Sequence, residues 1–509
     1  MGYRTWLSAA VILLLLNVVP GLAGAETILD RFENQVTEFT LDNGLTFVVI
    51  ERHQAPVVSF VTCVKVGSVN EPAGRTGLAH LFEHMAFKGT KSIGTKGWEQ
   101  EKEVLAKLDK AYAAWLDEKR KRNPDQGALA TKRQRFEELR SKARSYVIPN
   151  EFAKIIELNG GTDLNAGTSS EYTVYFSSFP ANRAELWFSL ESDRLRNPVW
   201  REFYTEKEVV REERRMRVDS DPTGKLVEQL LAAAFVAHPY GDPVIGWDSD
   251  IVAARAEDLD RFYHDYYVPQ NMAIGIAGDV DPEQIRSWAR MYFGSVPKGQ
   301  DPPDVVTREP DQEGTRSVQI SSRNQPLYAR AYHTVSQFHD HAPALELLGD
   351  ILAKGRTSRL YRALVEKERV AASIFAFNGF PGDVYPSLFI VFGVPSKGVS
   401  LEQLSESIDT ELERIRTQGV TQEELDRAIT KAKAKLIRGL DSNLGLAKSL
   451  AMAEILGGDW RRVFTILDDY EQVTAADIQE VAQTYLRPEN CTIGQLVNHQ
   501  ADKGAQHDQ

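Results

Sequence analysis

The segment YYVPQNMAIG at 266–275 returns as YLRPENCTIG at 485–494, an offset of 219 residues. Tyr266/Tyr485, Pro269/Pro488, Asn271/Asn490, Ile274/Ile493 and Gly275/Gly494 keep that offset, as do Ala256/Ala475 and Asp258/Asp477 upstream. Each copy reads as an amphipathic helix, a proline turn and an apolar strand. Such a repeat predicts two similar halves, each with its own core, and 509 residues exceed what one core normally serves.

The element order recurs as well. FTLDNGLTFVVIE and VVSFVTCVKVG precede a helix in the first half; SVQISS and LYARAYHTV precede ALELLGDILAKG in the second. Blocks of strands followed by long helices predict an α+β fold, each half a mostly antiparallel sheet covered by helices. Residues 300–314, polar and proline-rich, read as a linker between domains at 26–299 and 315–498, with a polar tail at 499–509. One stretch stands outside the repeat. Residues 98–146 are dense in Lys, Arg and Glu, place Val104, Leu108, Ala111 and Trp115 at helical spacing, and break at Asn123–Gly127. They predict an inserted helical hairpin with a solvated charged face; the alternatives are a docking arm for a partner and a rim over an active site.

The amino terminus has one basic residue, Arg4, an apolar run over Leu7–Val19, and Ala23-Gly24-Ala25 ahead of Glu26. Residues 1–25 thus read as a signal peptide, and the mature chain is expected in the periplasm or outside the cell. The run is too short for a stable membrane anchor. A net charge of −12 argues against nucleic acid as a partner. Two cysteines, Cys63 and Cys491, lie in apolar strand-like runs and read as buried thiols in different halves.

The chemistry concentrates in Leu78-Ala79-His80-Leu81-Phe82-Glu83-His84-Met85. On a helix each residue advances about 100°, so His80 and His84 lie about 40° apart and Glu83 falls in the same arc. Two neutral imidazoles one turn apart can share a tetrahedral zinc, with Glu83 in reach of water at its open position. H-x-x-E-H is the inverse of the commoner zinc-peptidase motif. A catalytic zinc needs a third protein ligand, which an acidic helix at 206–213 can supply. Glu206 and Glu213, seven apart, share a face to within about 20°, whereas Glu208 and Glu212 project elsewhere. His339 and His341 read as loop residues and His238 as a turn or packing residue.

These segments together resemble the pitrilysin/insulinase family of zinc metallopeptidases, which includes the mitochondrial processing peptidases. HLFEHMAFKGT at 80–90, GGTDLNAGTSSEYTVYF at 160–176, EKEVVREERRMRVDSDP at 206–222, HPYGDPVIG at 238–246 and YYVPQNMAIGIAGDVD at 266–281 follow in family order. The resemblance implies one Zn2+ per chain held by His80, His84 and Glu213, with Glu83 as general base and Glu206 as a carboxylate orienting the ligands. It implies that Asn165 and Ala166 lie on an edge strand to which an extended peptide substrate adds. It also implies two such chains, or two such units, closing around the peptide.

Two departures accompany it. His84 and Glu213 stand 129 positions apart, a spacing lengthened by the hairpin. Where peptide-cleaving members carry an Arg and a Tyr seven apart in the second half, this chain has Val365 and Ala372. Arg359 and Tyr361 lie nearby at a different spacing; either the chain works without the pair, with such residues as other donors, or a homologous partner supplies it in a heterodimer. The expected function is a zinc-dependent endopeptidase; the alternative is a metal-binding but inactive, or scaffold, subunit.

Overall fold

The computed structural model describes residues 35–498; the predicted signal peptide and polar tail lie outside the described residues. The strands of the first sheet are β1 (Val36–Thr40), β2 (Thr46–Glu51), β3 (Val57–Val64), β4 (Thr162–Thr168), β5 (Thr173–Pro180) and β6 (Met272–Gly278). Those of the second are β7 (Arg316–Ser322), β8 (Leu327–His333), β9 (Ala371–Phe380), β10 (Leu388–Pro395) and β11 (Cys491–Asn498). The orders are β1-β2-β6-β3-β5-β4 and β7-β11-β8-β10-β9. In both sheets the strand from the repeat runs parallel to one neighbour and antiparallel to the other: β6 between β2 and β3, β11 between β7 and β8. All remaining pairs are antiparallel. The fold is α+β with two homologous layers, as the repeat predicts.

The repeated residues have repeated tasks. Asp258 and Asp477 each accept a hydrogen bond from the backbone three residues upstream, at 2.9 Å from Arg255 N and 2.8 Å from Thr474 N, closing the first turn of a helix. Asn271 donates to Lys65 O and Tyr266 O; Asn490 donates to His333 O and Tyr485 O. Each asparagine thus pins its proline turn to the neighbouring strand end.

The halves also exchange helices. The helix Pro222–Ala234 of the first half packs on β7, β8 and β11 of the second, and Asn443–Gly457 of the second packs on β2, β3 and β6 of the first. Leu446, Ala447, Leu450 and Ala451 form one apolar cluster with Val48, Val61 and Ala277. Leu230, Leu231 and Ala234 form another with Ala329, Ala331 and Ile390. Each sheet is therefore covered on its second face by the opposite half, and neither half buries its own sheet alone.

The inserted segment is two helices, Trp98–Lys119 and Gln126–Arg144, with the turn capped by Asp125. Its inner face belongs to the first half's core: Val104, Leu108, Leu116, Phe136 and Leu139 are buried there, and Trp115 stacks on Phe136. Cys63 and Cys491 are free and buried, in β3 and β11. No helix among the described residues is long and apolar enough to cross a membrane.

Candidate metal centre

The motif folds into the helix Leu78–Met85. Leu78, Leu81, Phe82 and Met85 fill the core, which leaves His80, Glu83 and His84 for the opposite face. Two devices fix its start. Gly77 takes φ +88°, where a Cβ would meet Ile245 O at 2.8 Å, so the chain turns there in a conformation glycine favours. Glu71 then accepts hydrogen bonds from Gly77 N and Ala79 N, both at 2.6 Å, satisfying amides that a helix start leaves open. Burial pushes the Glu71 carboxyl up to about 8 against those two bonds.

The helix Phe203–Arg214 lies against the first and brings up its carboxylates. Glu213 Oε2 stands 3.8 Å from His80 Nε2 and 3.5 Å from His84 Nε2. His80, His84 and Glu213 offer one ligand atom each within 4.8 Å of one another, a spacing that fits a single ion. Glu206 reaches the other side of His84, 3.5 Å from Nδ1, which leaves Nε2 for the metal. Arg217 holds the second oxygen of Glu213 at 2.9 Å. Burial first, then His84 and Arg217, lowers His80 to about 3, so its imidazole is neutral as a ligand's must be. The Glu206 contact raises His84, opposed by burial, with Glu213, Glu206 and Glu83 adding to the rise. The site attracts positive charge, and the donor set fits zinc.

Glu83 is held from the sheet: Thr168, the last residue of β4, donates Oγ1 to Glu83 Oε2 at 2.6 Å. β4 is the outermost strand and pairs only with β5 among the described residues. Asn165 and Ala166 lie on it, opposite Phe176 and Tyr175, and the Ala166 amide donates to the side chain of Asn165 at 2.9 Å. A cavity of about 200 Å³ opens beside Glu83 and His84, with Phe87, Val147 and Ile148 on its wall.

Thr168, Glu71, Arg217 and Lys88 are site residues that sequence reasoning did not single out. Lys88 Nζ lies 2.5 Å from Glu206 Oε1; a lysine four residues past the second histidine, close to a helical turn on, was the signal in the sequence. Arg359 binds Glu424 with two bonds, at 2.7 and 2.6 Å. His238 accepts from Tyr240 N within its turn, and His341 pairs with Tyr485.

The family model described as Insulinase (Peptidase family M16) matches residues 46–114 and 139–248, pausing within the hairpin. That described as Peptidase M16 inactive domain matches 253–432. The chain is 29% identical over 466 residues to Zinc protease PqqE of Helicobacter pylori, covering 89% of this chain and 90% of that one. It is 27% identical to the uncharacterized zinc protease Rv2782c of Mycobacterium tuberculosis, over 88% of this chain and 90% of that one. The crystal structure of a protease from Helicobacter pylori superposes with TM-score 0.75 at 26% identity, over 91% of this chain and 99% of that chain. The periplasmic protease PqqL from Escherichia coli shares the fold at TM-score 0.66 and 18% identity, with 93% of this chain covering 48% of that chain. With these matches spanning most of both halves, the chain belongs to the pitrilysin/insulinase family, peptidase family M16.

Proposed function

We propose that this chain is a zinc-dependent endopeptidase acting on extended peptides or unfolded polypeptides. The observation that carries the reading is the convergence of His80, His84 and Glu213 within 4.8 Å beside an open edge strand. One Zn2+, held by those three side chains, would supply Lewis acidity toward water and the scissile carbonyl. Glu83 takes the proton of the attacking water and returns it to the leaving amine. Thr168 keeps the carboxylate of Glu83 aimed, and it sits on the strand that binds substrate. The peptide adds to β4 through backbone hydrogen bonds near Asn165 and Ala166, exchanging the local Asn165–Ala166 contact for a strand pairing. Backbone recognition admits varied sequences.

The chain acts after export, as a dimer that closes the site from water. Val365 and Ala372 favour a second reading, in which a homologous partner completes the site or this chain binds metal without turnover. The test is cleavage of a quenched-peptide library by the purified chain, with metal analysis. Glu83→Gln keeps size and hydrogen bonding but loses the base, so zinc stays while kcat falls about 100- to 10,000-fold. Full activity in Glu83→Gln would sink the mechanism; zinc without activity in the wild type would favour the second reading.

A further inference from the structure

The loop 86–97 leads from the metal-motif helix into the inserted hairpin, and one buried side chain organises it. Arg201 donates to Lys88 O at 2.7 Å, Ile93 O at 3.0 Å and Thr90 O at 3.0 Å. It also meets Glu101, on the inserted hairpin, through two bonds at 2.6 and 2.9 Å. Both partners are essentially inaccessible to solvent, 1% and 0% exposed. Such a pair is costly to break, because either charge left alone is buried and uncompensated. Gly89 and Gly94 make room for it: a Cβ would stand 3.1 and 2.7 Å from Arg201 Nη1.

The loop held in this way delivers Lys88. Its ammonium bridges Glu206 at 2.5 Å and Glu202 at 3.7 Å, and the other oxygen of Glu206 faces His84 Nδ1. Glu83, Glu202, Glu206 and Glu213 crowd four carboxylates around the centre. Lys88 is the cation that keeps Glu206 fixed beside His84 despite its acidic neighbours. We infer that Lys88 is a positioning residue of the metal centre, and that the hairpin steadies it through the buried Glu101–Arg201 pair. The inference rests on the zinc reading above and extends it from the ligands to the insertion. An imidazole whose second nitrogen has a fixed partner is a better and better-aimed ligand.

The experiment measures zinc affinity by competition with a chromophoric chelator, alongside the melting temperature of the metal-free chain and kcat and KM. Lys88→Met should weaken zinc about 10- to 100-fold and lower kcat with KM unchanged, while the metal-free melting temperature stays put. Lys88→Arg, which can still bridge the carboxylates, should recover most of the loss. Glu101→Gln, or Glu101→Asp if the former does not fold, should weaken zinc in the wild-type background and have little further effect with Lys88→Met present. Equal effects in both backgrounds overturn the link to the hairpin. Lys88→Met with wild-type zinc affinity and kcat overturns the positioning role alone. A wild-type chain that takes up no zinc overturns the inference together with the function it rests on.

Discussion

The two halves share a sheet plan, a repeated strand and a repeated asparagine, yet among the described residues only the first gathers a metal-capable group of side chains. In the first, the helix after β3 stands off β4 far enough for Glu83 to reach Thr168 and for His80 and His84 to meet Glu213. In the second, the helix Ala342–Ala353 after β8 carries Leu345, Leu348 and Leu352 into the core. It lies so close to β9 that a Cβ on Gly349 would stand 3.1 Å from Phe377 Cα. In one copy two histidines and a glutamate converge in the cleft; in the other the helix packs its leucines into the core, and the cavity at its start, lined by Glu346, Asn378 and Asp383, gathers no such group among the described residues. A duplicated fold thus separates tasks: the first half brings the candidate metal ligands together, and the second supplies a helix that covers the first half's sheet.

The sharpest way to break that comparison is to remove a ligand. His84→Ala should abolish stoichiometric zinc binding by the whole chain, because no group of three His, Cys, Asp or Glu side chains converges in the same way elsewhere among the described residues. The folded state then loses the stabilisation that bound metal supplies, about 4 kcal/mol when zinc is a thousandfold above its Kd. Metal analysis and melting curves with and without zinc measure both. Stoichiometric zinc in His84→Ala would mean that the second half, or another surface, is a metal site too.

A smaller effect tests the exchanged helices. Gly275 and Gly494 occupy the same place in the repeat, each facing the helix donated by the other half. A Cβ at Gly275 would stand 2.0 Å from Ala447 O, a backbone atom that cannot swing away, whereas at Gly494 it would meet Leu226 Cδ1 at 3.3 Å. Gly275→Ala should therefore cost about 1–3 kcal/mol, and Gly494→Ala distinctly less, since a leucine tip can shift. Urea midpoints rank the two. The reverse ranking would show that the helices do not sit as described.

The asparagines should behave alike. Each donates two hydrogen bonds to carbonyls from the same structural places, so Asn271→Ala and Asn490→Ala should each cost about 1–3 kcal/mol. A large inequality would mean that the turns are held differently in the two halves.

What could be read from the sequence follows from what is local. The helical phase of His80, Glu83 and His84 is a property of eight consecutive residues, and the structure keeps it. The repeat exposed the duplicated strand and turn because Pro269, Asn271 and Gly275 each do a job that tolerates few other side chains. The exchange of helices left no local trace: the apolar faces of Pro222–Ala234 and Asn443–Gly457 show that something is covered, not which sheet. Glu71, Thr168 and Arg201 were also invisible, since each meets its partners only once distant segments are folded together. The charged hairpin was legible as two helices, but its charges disguised Glu101, which is buried with Arg201 and is not part of the solvated face.

A pH-dependent effect concerns the place where the two halves touch through equivalent turns. Glu171 lies on the β4–β5 turn and Asp383 on the β9–β10 turn. Tyr240 donates its hydroxyl to Glu171, and Val384 N donates to the same carboxylate at 2.8 Å. Gly382 permits this approach, since a Cβ there would meet Glu171 Oε1 at 2.3 Å. Burial first, then the nearby Glu171 and Glu346, pushes Asp383 up to about 7. In the unfolded chain an aspartate releases its proton near 3.9. Between about pH 4 and pH 7 the folded state therefore binds more protons than the unfolded state, so this group's contribution to stability falls as pH rises and levels off above its folded pKa. Asp383→Asn removes the titration, and its stability relative to wild type should climb across that window and then stay flat. A rise of about three pH units at about 1.4 kcal/mol each bounds the total change at about 4 kcal/mol, and solvent in the cavity of about 600 Å³ beside the turn would reduce both the rise and the change. Urea midpoints from about pH 4 to about pH 8 measure it. A difference that stays constant with pH would mean that Asp383 is ionised throughout, and that the two turns meet as a charged pair held apart by solvent.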